Sequence, residues 1–263
     1  MAPEIRLAEV RGFCAGVERA LRKVEDALQT GPFPVYVLHE IVHNEKVVDD
    51  LRKRGVIFID HPAEAKSGTL IFSAHGVSRN VEEEAAKQNV KVVDATCPIV
   101  KSLHRRIEQF AASGKNIVLF GRNGHREVEG LLGRVGTPVT VIESPEELEA
   151  FLKTADRSKP YACLSQTTLN AADVERMGAR LREVLPDVTL ASEVCHATKE
   201  RQDAVRKLTG SCEVILVVGS RKSSNTRRLY ELAQAGGARA YLLADASEFR
   251  EEWIKGAASV GIT

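Results

Sequence analysis

Hydrophobic and polar positions along the chain form three copies of one pattern: a strand-like run, a cysteine and a helix-like stretch. In the first copy IRLAEV precedes Cys14, and the following AGVERALRKVEDAL carries apolar residues at helical spacing. The second and third copies are KVVDAT, Cys97 and PIVKSLHRRIEQFAASG, and VTLASEV, Cys195 and HATKERQDAVRKLTG. The pattern therefore predicts three helices that each begin directly after a cysteine.

The segments after these helices repeat as well. Each predicted helix is followed by a strand, a polar loop and a second helix, and the loop residues His43, His125 and Ser224 stand 28 or 29 residues after the cysteines. Strands that alternate with helices favour right-handed crossovers and parallel sheets. We therefore predict an α/β protein of three similar small domains with parallel sheets.

The repeat also predicts domain boundaries. The first domain spans residues 14–96, the second 97–193, and the third 194–263 together with an N-terminal strand in 1–13. We expect IRLAEV to complete the third sheet, because this strand belongs to no other unit. The third unit stops at SVGIT, where its second polar loop should begin, so we expect its closing loop and helix to be absent from this chain.

The segment HEIVH, residues 39–43, matches the H-E-x-x-H motif of zinc peptidases. That motif requires both histidines one turn apart on a helix. Here the strand-like VYVL leads directly into His39, and the helix pattern begins only at Asn44, which suits a helix cap. We therefore expect no peptidase zinc site and predict that His39 packs at a strand end.

Composition and charge narrow the function classes. The chain has 43% hydrophobic and 28% charged residues and a net charge of +1, which is typical of a globular protein without a basic stripe for nucleic acid or a membrane surface. No apolar run reaches the length of a membrane span, and the N-terminus lacks the layout of a signal peptide. Five cysteines, an odd number, favour reduced thiols over a disulfide scaffold.

Three cysteines at helix starts suit a metal centre. Amide donors and the positive end of the helix dipole stabilise a thiolate there, so we expect Cys14, Cys97 and Cys195 to be thiolates that converge near one point. Three ligands leave one position open, for water on a zinc ion or for a Lewis-acidic iron in a [4Fe–4S] cluster. The alternative for any one of them is an incidental buried cysteine.

Neutral or titratable donors occupy the predicted loops and helix starts around that point: His43, His75, His125, Thr167, Ser223, Ser224 and Asn225. Together they suit a phosphate or diphosphate, although serine and asparagine also serve as ordinary turn and cap residues. The nucleotide motifs G-x-x-x-x-G-K-[ST] and G-x-G-x-x-G are absent from the sequence. Glu127, the carboxylate beside this set, is either an acid that complements a helix dipole or a proton donor.

Eight motifs resemble the LytB family, the 4-hydroxy-3-methylbut-2-enyl diphosphate reductases: RGFCAGV, HEIVHN, SAHGVS, DATCP, GH-x-EVEG, SQTTL, CHAT-x-x-RQ-x-AV and VVGS-x-x-SSN. The resemblance runs in order from Arg11 to Thr263. It implies the last step of the methylerythritol phosphate route to isoprenoids. In that step (E)-4-hydroxy-3-methylbut-2-enyl diphosphate loses its hydroxyl reductively to give isopentenyl and dimethylallyl diphosphate. It further implies three α/β domains in a pseudo-threefold arrangement around a central iron–sulfur cluster.

The resemblance also implies roles for individual residues. The ligands of one [4Fe–4S] cluster with an open iron would be Cys14, Cys97 and Cys195. The residues that hold the diphosphate would be His43, His75, Ser223, Ser224 and Asn225. The catalytic group would be Glu127, which delivers a proton, with His125 and Thr167 completing the polar lining. An external one-electron donor of ferredoxin or flavodoxin type and a cytoplasmic, bacterial location are implied too.

Two departures from the family pattern change these expectations. Arg126 replaces the usual proline, so we expect a looser loop and, because of the added positive charge, a lower pKa of Glu127. The family continues beyond Thr263 with a stretch whose serine helps to bind the diphosphate, so we expect weaker substrate binding here.

Three other functions stay open from the residues alone. A three-cysteine zinc hydrolase acting on a phosphorylated molecule would be colourless and indifferent to air. An electron carrier or redox sensor would need a fourth cysteine ligand, and neither Cys163 nor Cys212 opens a helix. A phosphate-binding module without chemistry would tolerate glutamine in place of Glu127.

Overall fold

The computed structural model describes residues 2–191 and 194–263, so predictions that fall on Met1, Ser192 and Glu193 lie outside the described residues. Strands and helices follow one another along the chain as β1 (Glu4–Leu7), α1 (Ala15–Thr30), β2 (Val35–Leu38), α2 (Glu45–Lys53), β3 (Ile57–Ile59), β4 (Thr69–Phe72), α3 (Arg79–Ala86), β5 (Lys91–Asp94), α4 (Pro98–Ala112), β6 (Asn116–Phe120), α5 (Arg126–Leu132), β7 (Val139–Ile142), α6 (Pro145–Thr154), β8 (Tyr161–Ser165), α7 (Ala171–Val184), β9 (Val188–Ala191), α8 (His196–Thr209), β10 (Val214–Val218), α9 (Ser224–Ala235), β11 (Arg239–Leu243) and β12 (Ser259–Ile262). No helix in these two ranges combines the length and the apolar content that crossing a membrane requires.

Within the described residues the strands form three four-stranded sheets in which every pair is parallel. The first sheet has the order β3-β2-β4-β5, the second β7-β6-β8-β9 and the third β11-β10-β12-β1. The order is equivalent in all three. The predicted α/β fold of three similar units with parallel sheets is therefore confirmed.

The strand β1 occupies the edge of the third sheet, beside β12. Residues Glu4 to Leu7 pair in parallel register with Ser259 to Ile262. This is the sheet in which we expected IRLAEV, and β1 takes the position that β5 and β9 hold in the other sheets. The boundaries after residues 96 and 193 stay a prediction.

Each cysteine-led helix packs on the sheet that follows it. The same core clusters join Val24 of α1 to Val37 of β2, Ile107 of α4 to Leu119 of β6, and Val205 of α8 to Val217 of β10. The strand before each cysteine belongs to the preceding sheet in this cyclic order. The three cysteines therefore stand where the chain passes from one unit to the next.

The HEIVH segment is not helical. His39 follows β2 with a φ of 58°, and its Nδ1 lies 3.4 Å from Asp60 Oδ1. Asn44 caps α2, since its side chain accepts a hydrogen bond from the Val47 amide at 3.1 Å. Because His39 and His43 do not share a helix, the prediction that this is not a peptidase zinc motif is confirmed.

Candidate active site

Cys14, Cys97 and Cys195 are the N-cap residues of α1, α4 and α8, as the sequence pattern predicts. None of their side chains makes a capping hydrogen bond, so the thiols are available to other partners. All three line one cavity of about 270 Å³. A Cβ built on Gly16 would lie 2.8 Å from Cys97 Sγ and 3.7 Å from Cys14 Sγ, so the bare backbone of α1 makes room for these sulfurs.

The pKa of the Cys97 thiol is set by opposing effects of burial and of the helix start. Burial raises the pKa of the Cys97 thiol, and the neighbouring sulfurs of Cys14 and Cys195 raise it further, whereas the amides of Ile99 and Val100 lower it. Burial outweighs the helix donors in the protein alone, and the thiolate expected at Cys97 in a metal centre stays a prediction. A positive charge beside the sulfurs would reverse this balance.

Three histidines from separate loops form a cluster at the cavity. The rings of His43 and His75 are stacked with centroids 4.1 Å apart, and His125 meets them edge-on at 5.4 and 5.9 Å. Burial, with repulsion from neighbouring cationic groups, lowers the pKa of His125 to about 4 and that of His75 well below its ordinary value. His75 and His125 are therefore neutral at pH 7 and able to donate one N–H each.

Glu127 is 2% exposed and lies in the same cavity. Its two carboxyl oxygens accept hydrogen bonds from the Thr167 amide at 2.7 Å and from the Thr167 hydroxyl at 2.8 Å. Burial raises the pKa of Glu127 to about 7, although both hydrogen bonds from Thr167 act to lower it. The carboxyl group is thus held in place by Thr167, in the loop after β8, and exchanges its proton near neutral pH. These properties suit an acid catalyst better than a residue that only complements the helix dipole.

Arg126, the residue next to Glu127, does not lower the pKa of that carboxyl group. Its guanidinium pairs with Glu129 at 3.0 Å on the exposed side of α5. The turn before α5 is held by His125, whose Nδ1 accepts a hydrogen bond from the Glu127 amide at 3.1 Å. The expected lowering of the Glu127 pKa is therefore wrong, because the added charge points away and is neutralised.

The serine-rich loop forms the start of α9. Ser223 is its N-cap and accepts a hydrogen bond from the Thr226 amide at 3.2 Å, while Ser224 and Asn225 lie in the first helical turn. All three line the cavity. The side-chain Oδ1 of Asn225 is buried without a hydrogen-bond partner in the structure. Turning this amide over would present its NH₂ group to a bound anion.

Three buried polar residues near the site were not singled out from the sequence, although the family motifs contain them. Gln166 is fully buried and donates to Ser224 Oγ at 3.4 Å, which links the second unit to the third. Arg201 lines the cavity and donates to the Gly12 carbonyl at 3.1 Å. Gln202 is fully buried, and its amide bonds both to the Leu169 carbonyl at 2.8 Å and to the Ala171 amide at 3.0 Å.

Fold and site together define the class of this protein. It is an α/β protein of three parallel-sheet units with thiols and a protonatable carboxyl group in one shared cavity. Residues 5–263 match the family model described as LytB protein. The chain belongs to this family, and the resemblance seen in its motifs is confirmed.

Relatives and solved structures agree with this assignment. The chain is 44% identical over 266 residues to 4-hydroxy-3-methylbut-2-enyl diphosphate reductase 2 of Bradyrhizobium diazoefficiens, covering 99% of this chain and 85% of the relative. It has the same identity to the 4-hydroxy-3-methylbut-2-enyl diphosphate reductase of Escherichia coli O1:K1, covering 84% of that protein.

The structure of the E-1-hydroxy-2-methyl-but-2-enyl-4-diphosphate reductase from Plasmodium falciparum matches with a TM-score of 0.94 at 31% identity, over 100% of this chain and 83% of that one. A structure of (E)-4-hydroxy-3-methyl-but-2-enyl diphosphate reductase, the terminal enzyme of the non-mevalonate pathway, matches with a TM-score of 0.70 at 34% identity. This match covers 100% of this chain and 93% of the chain in that structure.

Proposed function

We propose that this protein reductively removes the allylic hydroxyl of (E)-4-hydroxy-3-methylbut-2-enyl diphosphate, giving isopentenyl and dimethylallyl diphosphate. The names of its relatives support the reaction. The observation that carries the proposal is the presence of three helix-start thiols and the protonatable Glu127 in one cavity. The reaction takes up two electrons and two protons, the carbon–oxygen bond breaks, and the oxygen leaves as water.

Cys14, Cys97 and Cys195 are suited to hold a [4Fe–4S] cluster. They share one cavity, and the missing side chain of Gly16 leaves space beside two of the sulfurs. In the described part of the chain, no three histidine, cysteine or acidic side chains are placed to hold a single metal ion. Three cysteine ligands would leave one iron of such a cluster without a protein ligand. When bound, the cluster would supply electrons and one Lewis-acidic iron.

Glu127 provides the proton that turns the leaving hydroxyl into water. Its pKa of about 7 keeps a large fraction protonated at neutral pH, and its hydrogen bonds to Thr167 fix the direction of the carboxyl group. A general acid works best when its pKa lies near the working pH.

The diphosphate is held by histidine, serine and asparagine side chains. His43 and His75 stack side by side, and Ser223, Ser224 and Asn225 face the same cavity from the start of α9. Helix starts offer amide donors to phosphate oxygens. A bound diphosphate would raise the pKa of the neutral His75 imidazole and strengthen its hydrogen bonds.

Three further features follow from the family resemblance. The electrons come from an external one-electron donor of ferredoxin or flavodoxin type, and the protein works in the bacterial cytoplasm. The domains span residues 14–96, 97–193 and 194–263 with 1–13.

One experiment tests the proposed function. The protein is purified anaerobically, its iron, sulfide and zinc are measured, and turnover of the hydroxylated diphosphate is assayed with a one-electron reductant. We expect about four irons per chain. Glu127→Gln should keep the iron but slow turnover by roughly two orders of magnitude or more, whereas Glu129→Gln, on the exposed side of α5, should leave turnover unchanged. Tightly bound zinc with little iron would contradict the proposal and favour a zinc hydrolase.

A further inference from the structure

A second cleft, of about 660 Å³, shares His43 and His125 with the cavity and is bordered by the loops that follow β2, β6 and β10. Two carboxylates, Glu40 and Asp60, line it. Its cationic side chains are Arg52, Arg122, Arg126, Arg221, Lys222 and Arg227. Cationic side chains therefore outnumber carboxylates in the lining of the cleft, although the whole chain has a net charge of only +1.

Most of these cations are neutralised by nearby carboxylates. The pairs are Arg52 with Asp49 at 3.0 Å, Arg126 with Glu129 at 3.0 Å, Arg221 with Glu248 at 2.9 Å and Lys222 with Glu40 at 3.0 Å. Arg122 and Arg227 form no salt bridge within residues 2–191 and 194–263. The uncompensated charge of the cleft thus resides on these two arginines.

The two guanidinium groups act on a common region. The positive charges of Arg122 and Arg227 both lower the pKa of His125, and repulsion from Arg122 adds to burial in lowering the pKa of Arg227. The backbone of Arg122 is fixed in place, since its amide donates to the buried Gln166 side chain at 3.1 Å. Two like charges thus lie close enough to repel each other, and in the described residues neither forms a salt bridge, although Glu231 partly offsets the repulsion at Arg227.

Arg227 carries an unfulfilled hydrogen-bond donor. Its Nε atom is buried and has no partner in the structure. A buried N–H without an acceptor is costly, more so when the group is charged. An anion in the cleft would satisfy this donor and remove the repulsion between the two arginines.

We propose that Arg122 and Arg227 form a second anion-binding site, distinct from the cysteine-lined cavity, for a phosphate- or diphosphate-class anion. Guanidinium groups bind such anions through paired N–H donors. The site is a recess rather than a raised surface, so its shape fits a small multivalent anion better than an acidic protein. The histidine cluster is the wall between the two sites.

The test is calorimetric titration of inorganic diphosphate into the anaerobic, cluster-loaded protein. The variant Arg122→Gln with Arg227→Gln should lose one binding event, with affinity for that event weakened roughly a hundredfold or more, about tenfold for each charged hydrogen bond. The matched control is Arg105→Gln with Arg106→Gln, which removes two exposed arginines of α4 that form no ion pair in the described ranges. The control should bind as the parent protein does. Equal iron contents in all three show that each is folded.

Further measurements distinguish binding at this site from binding in the cavity. Asn225→Ala changes the cavity, so arginine-dependent binding that persists in this variant supports a separate site, even if the proposed reductase activity fails. A parallel titration with isopentenyl diphosphate distinguishes an organic diphosphate from the inorganic ion. Unchanged binding in the Arg122 and Arg227 double variant would overturn the proposal, as would an equal loss in the control. A double variant that binds diphosphate normally but has a raised KM for a ferredoxin-type donor would show a protein-docking surface instead.

Discussion

The buried carboxyl group of Glu127 makes a pH-dependent contribution to the stability of the protein, and the substitution Glu127→Gln should remove it. The folded protein raises the pKa of this carboxyl group from an ordinary value of 4.5 to about 7 because the group is buried. The folded state therefore binds more protons than the unfolded state between these values. The contribution of Glu127 to stability should therefore fall as pH rises through that window and level off above it.

The size of the effect follows from the two pKa values. The difference between 4.5 and about 7 corresponds to about 3 kcal/mol of unfolding free energy once both states are ionised. In Glu127→Gln the amide oxygen still accepts from the Thr167 amide, and the NH₂ group donates to the Thr167 hydroxyl, so both hydrogen bonds persist in a side chain that never ionises. The variant should be about 1 kcal/mol more stable than wild type at pH 5 and about 3 kcal/mol more stable at pH 8.5.

Urea unfolding at these two pH values measures the difference directly. Glu129→Gln is the matched control for loss of a carboxyl group, because Glu129 is exposed on the same helix. If wild type and Glu127→Gln differ by the same amount at pH 5 and pH 8.5, the carboxyl group does not change its protonation in this window. Glu127 would then not exchange its proton near neutral pH.

Three further predictions concern the cavity and its supports. Gly16→Ala places a Cβ 2.8 Å from Cys97 Sγ, so it should weaken iron binding by roughly tenfold while α1 itself becomes more stable; the measurement is iron content, with Gly136→Ala in open space as the control. The imidazole of His125 should titrate with a midpoint of about 4 in an NMR pH series, and a midpoint near 6 would contradict its burial among cations. Gln202→Ala removes two hydrogen bonds of a fully buried amide and should cost about 2–4 kcal/mol in urea unfolding, whereas a loss below about 0.5 kcal/mol would show that water replaces them.

The elements that position the thiols could be predicted from local sequence. A change from a β-branched run to helical spacing marks each cysteine, and the structure starts helices at Ala15, Pro98 and His196, directly after the three cysteines. The equivalent edge position of β1 also followed from the repeat. These features depend on neighbours in the chain and on the repetition of one pattern, so a linear sequence contains them.

The electrostatics of the site could not be predicted in the same way. The sequence places Cys97 at a helix start, but the burial that raises its pKa depends on packing between units. The direction of Arg126 depends on where Glu129 offers a carboxylate. Arg122 and Arg227 come from different units, so the charged cleft exists only after the loops meet. Long-range proximity and desolvation leave no local pattern.

The pairing of β1 with β12 joins residues that are made at very different times. Glu4 and its partner Ser259 are about 255 positions apart, so at typical synthesis rates the ribosome needs on the order of tens of seconds between them. Once β9 has been synthesised, the first two sheets have all their strands, whereas the third sheet, which β1 joins, still lacks β10, β11 and β12. Ile5 and Leu7, each 53% exposed even in the finished fold, are then open to other chains, so nascent protein is most vulnerable to aggregation at its oldest strand.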